Sequence, residues 1–209
     1  MIPGAGAGRL PFDVANAHPD IQVITNEENM NLFYANNFVL NKCKIEKQYK
    51  IYPNIYDLTN KISSTDAVKP IVFPDIIMTE GKQLQLTPYS ESFRDFCEND
   101  LEAESVDCVV SWFCLDTAHN VIEYITLIEK ILKSNGVWIN IGGLDYMYEQ
   151  FHGETSIETP YEHLKGVIID LGLNIIKEEM IENYEYFLED SLLKRIYNCP
   201  LILCKKGGK

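Results

Sequence analysis

Apolar positions along the chain keep two different rhythms. The clearest stretch is central. Val106 to Phe113 is almost continuously apolar, which is the pattern of a parallel strand covered on both faces. The polar segment Cys114 to Asn120 follows. From Asn120 to Lys133 the apolar residues return at helical spacing, with Val121, Ile122, Ile125, Ile128, Ile131 and Leu132 on one side. Ser134-Asn135-Gly136 is expected to stop this helix, with the glycine in a left-handed C-cap. Val137 to Gly142 reads as the next buried strand, and Tyr161 to Leu171 as a helix. Leu173 to Glu179 and Tyr197 to Lys205 read as two strands, an antiparallel pair at one edge of the sheet. The tail from Lys205 to Lys209 is low in complexity.

The first half repeats the alternation less regularly. Met1-Ile2 leaves only the end of a first strand. Leu10 to Ala17 is helical in pattern, Ile21 to Thr25 is a second buried strand, and Asn29 to Lys42 is a helix anchored by Met30, Phe33, Phe38 and Leu40. Residues 44–75 form an aromatic loop region containing Tyr49, Tyr52 and Tyr56. Residues 76–83 continue as loop, Leu84 to Thr87 is a short third strand, and Glu91 to Leu101 is a short acidic helix. Strands alternating with helices define an α/β fold. The expected form is a doubly wound, mostly parallel sheet with an antiparallel C-terminal edge.

The turn out of the first strand carries the most specific chemistry. Gly4, Gly6 and Gly8 stand at alternate positions, so the backbone can turn tightly and approach a ligand closely. The helix that follows points its N-terminus at that ligand. Glu27 falls one step past the second strand, about twenty residues on, where a carboxylate accepts hydrogen bonds from ribose hydroxyls. This is a cradle for an adenosine-containing cofactor. The glycine spacing departs from G-x-G-x-x-G, which weakens a nicotinamide-dependent oxidoreductase without removing it.

Composition narrows the classes further. An apolar fraction of 46% in 209 residues supplies the core of one domain. A net charge of −13 argues against a nucleic acid or an anionic membrane as partner. No apolar run reaches the roughly 18 residues of a membrane span, and no signal peptide is expected ahead of the glycine turn. The six cysteines form no C-x-x-C pair and have no histidine cluster beside them, so no metal site is expected. Their apolar surroundings suit free thiols in a reducing compartment, the cytoplasm and also the nucleus.

Other candidates carry two readings each. Asp116, at the end of the central strand, suits a substrate-holding carboxylate or an N-cap for a helix beginning near residue 118. His119 suits a base, or a structural bond to a neighbouring loop. Tyr146, Tyr148, Phe151, Tyr184, Tyr186 and Phe187 suit the aromatic wall of a pocket, or ordinary packing. Glu149, Glu154 and Glu158 suit contacts to an amino group, or a solvated loop.

Several segments together resemble the carnosine N-methyltransferase family. They are Pro3 to Leu10, Asn26-Glu27, Asn36 to Asn41, Tyr49 to Pro53, Pro70 with Phe73 to Asp75, Leu115 to Ile122, Ile131 to Lys133 and Gly136 to Gly142. The block from Leu115 to Asn120 is the specific one. The resemblance implies a class I methyltransferase-like fold, with S-adenosyl-L-methionine as cofactor. It implies methylation of an imidazole nitrogen in carnosine, giving anserine, or in a similar small His-containing peptide. On this reading the glycines and Glu27 hold the cofactor, Ser92-Phe93 stands near its adenine, and Ser111, Trp112 and Phe113 line its sulfonium end. Asp116 holds the substrate imidazole with Tyr197 beside it, and Tyr146 joins the substrate wall. Met147 and Arg195 stand where the family has a histidine and a second tyrosine. Ser92 stands where it has an aspartate, so that acidic partner is missing or replaced by Glu91. The family's N-terminal helical region and most of its first strand lie outside these 209 residues. A truncated or degenerate paralogue acting as a binding protein is therefore the second reading. A homodimer is compatible with the sequence.

Overall fold

The computed structural model describes residues 1–77, 86–186 and 191–208, with backbone alone for 86–89. A two-residue strand, β1 (Ile2–Pro3), leads through the glycine turn into α1 (Arg9–Ala17). This helix buries Pro11, Phe12 and Ala15 on the side facing β2 (Val23–Asn26). Asn29 caps α2 (Met30–Lys42), its side chain accepting from the N–H groups of Asn31 and Leu32. The expected apolar anchors of α2 do not reach the core. Met30 is 44% exposed and Phe38 38%, and the buried residue of this helix is Asn36. Ring contacts hold α2 instead, with Phe38 lying 5.1 Å from Tyr49 and 6.4 Å from Phe73.

Residues 44–75 are more ordered than the loop expected there. Tyr49–Ile51 (β3) and Ile71–Phe73 (β4) pair antiparallel, with the short helix α3 (Ser64–Ala67) between them in sequence. The Tyr49 and Phe73 rings stack at 5.7 Å across the ladder. The third parallel strand, β5 (Leu86–Tyr89), pairs with β2. Leu84 and Gln85, assigned to it from sequence, lie outside the described residues. Helix α4 (Phe93–Asn99) follows and is shorter than expected.

The apolar run becomes β6 (Val106–Trp112), followed by a 3-10 turn at Leu115–Thr117 and by α5 (Val121–Ile131). Strand β7 (Leu132–Ile141) begins directly at the end of α5. Ser134-Asn135-Gly136 therefore lies inside a strand rather than closing a helix, and the left-handed residue is Asn135, at φ +66°. Helix α6 (Tyr161–Asp170) precedes β8 (Leu173–Glu185) and β9 (Ile196–Lys206). Both last strands run longer than the sequence pattern suggested, and Lys205 and Lys206 belong to β9 rather than to a tail.

Strands β6 and β7 are parallel, and β9 inserts antiparallel between β7 and β8. The antiparallel edge is thus present, with the last strand inside it. Met1 joins the two parts of the sheet. Its amino group donates to the Cys108 carbonyl and its carbonyl accepts from the Val110 N–H, each at 2.9 Å. The resulting order is β5-β2-β1-β6-β7-β9-β8. The main core packs Phe96, Val109, Ile125, Ile128, Trp138 and Ile202 together, while Ile2, Ala15 and Val23 make a small second cluster. Lys206 is buried, and its Nζ donates to the carbonyls of Glu129 and Leu132 at the end of α5. Among the described residues no helix is long and apolar enough to cross a membrane.

Candidate active site

Two cavities open where the strands β1, β2, β6 and β7 end. The first, of about 530 Å³, is lined by Gly4, Gly6, Glu27, Phe93 and Tyr124 among others. Gly4 and Gly6 both take left-handed backbone, at φ +60° and +57°, a region open to glycine at little cost. No atom stands within 4 Å of the place a Cβ would take on Gly6. The Gly6 N–H donates to Glu27 Oε2 at 2.7 Å, and the Asn29 N–H to Oε1 at 2.9 Å. These bonds lock the turn to the end of β2. Each carboxylate oxygen keeps a further lone pair for a ligand hydroxyl. The bare backbone turn, the fixed carboxylate and the apolar rings of Phe93 and Tyr124 fit an adenosine-containing group.

The second cavity, of 540 Å³, is lined by Phe113, Asp116, Asp145, Tyr186, Arg195 and Tyr197 with their neighbours. Three rings close on one another: Phe113 lies 4.6 Å from Tyr186 and 5.6 Å from Tyr197, and the two tyrosines are 5.8 Å apart. Asp116 is 6% exposed. Its Oδ2 accepts the Asp145 N–H at 3.2 Å, and burial pushes its carboxyl up to about 6. The Tyr197 hydroxyl donates to Asp145 Oδ2 at 2.8 Å.

Phe113, Thr117 and Met147 line both cavities. Phe113 has the backbone of a left-handed residue, at φ +47°, which is costly for an aromatic residue. It is held there by its N–H, which donates to the Ile141 carbonyl at 2.8 Å. Gly142 makes this approach fit, since a Cβ there would sit 3.1 Å from the Phe113 N and Cα. Met147 is fixed by its own N–H, which donates to the Asp116 carbonyl at 2.8 Å.

Of the residues assigned to the cofactor from sequence, Gly4, Gly6, Glu27, Phe93 and Phe113 line the first cavity. The other four do not. Gly8 packs on the Asn36 side chain and lines a separate cleft with Arg9 and Asp75. Ser92 caps α4, accepting the Asp95 N–H at 3.1 Å. Ser111 is buried in the sheet, donating to Asn140 Oδ1 at 2.7 Å and accepting from Trp138 Nε1 at 2.8 Å. Trp112 lines another cleft beside Leu10. Successive strand side chains point to opposite faces, so residues 111, 112 and 113 cannot all face one cavity.

Of the residues assigned to substrate, Asp116, Tyr146, Met147, Arg195 and Tyr197 all line the second cavity. Asn120, not Asp116, caps α5. The Tyr146 hydroxyl is engaged with Thr159, donating to its carbonyl at 2.7 Å. His119 bonds the Thr155 carbonyl at 3.0 Å and stacks on Tyr148 at 3.5 Å, which props a ring of the first cavity. Glu149, Glu154 and Glu158 are exposed. Phe187 lies outside the described residues. Sequence reasoning missed Asp145, Gln150 and Tyr124. Asp145 lies in the loop four residues past the end of β7, farther from its strand than Glu27 is from β2.

Comparison with known proteins bears on this arrangement. The carnosine N-methyltransferase family model matches residues 1–207. The carnosine N-methyltransferase of Mus musculus is 38% identical over 212 residues, covering 99% of this chain and 51% of that protein. The one of Dictyostelium discoideum is 36% identical, covering 96% and 43%. The chain thus spans about half the length of these relatives. Among solved structures, a SAM-dependent methyltransferase of Methanosarcina mazei superposes with a TM-score of 0.60 at 12% identity, over 100% of this chain and 92% of the other. Magnesium protoporphyrin IX methyltransferase of Synechocystis, solved with bound SAH, gives 0.54 at 11% identity, over 99% and 72%. These likenesses show the class I methyltransferase fold. With the family model spanning nearly every residue and relatives this similar along its whole length, the chain belongs to the carnosine N-methyltransferase family.

Proposed function

We propose that the chain methylates an imidazole nitrogen of carnosine, giving anserine, or of a similar small His-containing peptide, with S-adenosyl-L-methionine as donor. The observation that carries this reading is the wall of Phe113, Thr117 and Met147 shared by two cavities, with Asp116 on the acceptor side. The glycine turn and Glu27 support the donor site. When bound, the donor supplies an electrophilic methyl group on a sulfonium.

The protein's part is positioning and exclusion of water. A neutral imidazole has one donor and one acceptor nitrogen. Asp116 accepts the N–H, which fixes the tautomer and aims the other nitrogen's lone pair at the shared wall. The same carboxylate stabilises the positive charge that develops on the ring, and it is placed to take the N–H proton afterwards. With its carboxyl near 6, Asp116 is mostly ionised at pH 7. Phe113, Tyr186 and Tyr197 offer ring faces to the imidazole and keep water from it. The free thiols and acidic composition support a cytoplasmic and nuclear location.

Incubation with carnosine and methyl-labelled donor tests the reading, with label expected on the imidazole ring. S-adenosylhomocysteine should raise the melting temperature, because a ligand binding only the folded state adds about 2.7 kcal/mol at a hundredfold excess over Kd. No shift at millimolar concentration would overturn the donor assignment, and a shift with NAD instead would favour an oxidoreductase.

A further inference from the structure

We infer that Arg195 is a specificity-determining residue that binds a carboxylate on the acceptor, so that this cavity selects imidazole peptides bearing one. The inference rests on the acceptor reading above. Among the described residues lining the second cavity, the charged ones are Asp116, Asp145 and Arg195. Two carboxylates alone would repel an anionic group. Arg195 supplies the opposing charge, immediately before the first residue of β9.

The guanidinium meets the Tyr197 hydroxyl and, at long range, Asp145, and of its five N–H donors these contacts leave some for a ligand. Its Nη1 lies 3.8 Å from Asp145 Oδ2, beyond hydrogen-bond length. That oxygen already accepts the Tyr197 hydroxyl. The Arg195 side chain is 54% exposed, so a surface pair this long is weak and easily exchanged. A guanidinium presents a planar fork of donors that matches a carboxylate with two parallel bonds. The backbone beneath it is fixed, because the Tyr186 N–H donates to the Arg195 carbonyl at 3.0 Å and β9 begins at the next residue. The cavity thus offers carboxylates at Asp116 and Asp145 for N–H groups and a guanidinium for an acid group. A small peptide carrying an imidazole and a C-terminal carboxylate satisfies both.

The test compares carnosine with β-alanyl-histamine, which keeps the imidazole and the amine but lacks the carboxylate. Binding is measured by calorimetry on the chain loaded with S-adenosylhomocysteine, so no turnover is needed. The wild type should bind carnosine ~10-fold more tightly, the scale of one charge-assisted pair. Arg195→Gln should bring the two within ~2-fold by weakening carnosine alone, and Arg195→Lys should keep part of the preference. A wild type with no preference, a preference that survives Arg195→Gln, or no binding of either peptide overturns the inference. Methyl transfer to carnosine is followed on the same proteins. Transfer with an Arg195-independent preference sinks the inference and keeps the function. Arg195-dependent binding without transfer keeps the carboxylate site and sinks the function.

Discussion

In the proposed reaction Asp116 concentrates the chemistry of the acceptor site in one buried carboxyl group. Asp116→Asn should lower methyl transfer ~10²–10³-fold, the usual effect of removing one preorganised electrostatic partner, while S-adenosylhomocysteine affinity stays near wild type. Loss of donor binding along with activity would make Asp116 structural. The raised ionisation also predicts a stability signature. Unfolded, the carboxyl ionises near 4; folded, near about 6. Between those values the folded chain keeps a proton that the unfolded chain has released, so stability falls as pH rises through the window and stays low above it. Asp116→Asn has no such step. Its stability relative to wild type should therefore climb from pH 4 to about pH 6.5 and then level, ~1–3 kcal/mol higher. Denaturant titrations at stepped pH measure this, and a gap independent of pH would refute it. Glu27 was legible in the sequence because it follows an apolar strand directly, and Asp116 because it stands in the polar block after the longest apolar run. Ser111 and Trp112 were misplaced because a contiguous triplet ignores strand alternation. Asp145 was overlooked because a loop carboxylate in an acidic chain carries no periodic mark.

Secondary structure was most legible where apolar periodicity was strong. β6 and the body of α5 appear nearly as expected, because their apolar pattern is dense, whereas β7 starts at Leu132 rather than at Val137 and takes in the residues expected to close the helix. The segment from α2 to β4 was least legible. Its rings pack on one another at the surface rather than on the core, so hydrophobicity there does not report depth. The lysine-rich end misled for the opposite reason: Lys206 is polar in sequence and buried in structure. Its Nζ bonds two carbonyls at the end of α5 and lies 3.0 Å from Glu129 Oε1. Lys206→Met keeps much of the side-chain bulk but leaves those carbonyls without this donor. It should destabilise the protein by ~2 kcal/mol, seen as a lower denaturation midpoint with an unchanged slope. An unchanged midpoint would show that water replaces the ammonium without loss.

The strand order of the complete sheet was legible only as a class, since alternation of elements does not say where the last strand inserts. Its stability is unevenly shared. The small cluster of Ile2, Ala15 and Val23 supports β1 and β2, whereas the main core lies under β6 to β9. Amide exchange should therefore be fastest in β2 and β5 and slowest in β6, β7 and β9. S-adenosylhomocysteine should slow the former group most, because Gly4, Gly6 and Glu27 belong to that side. Uniform protection across all strands would contradict this division. Each cavity has lining residues of its own beside the three that both share. A tenant on one side need not leave before its neighbour, so no compulsory queue governs arrival or departure. Steady-state rates should then describe two reactants that assemble in either order.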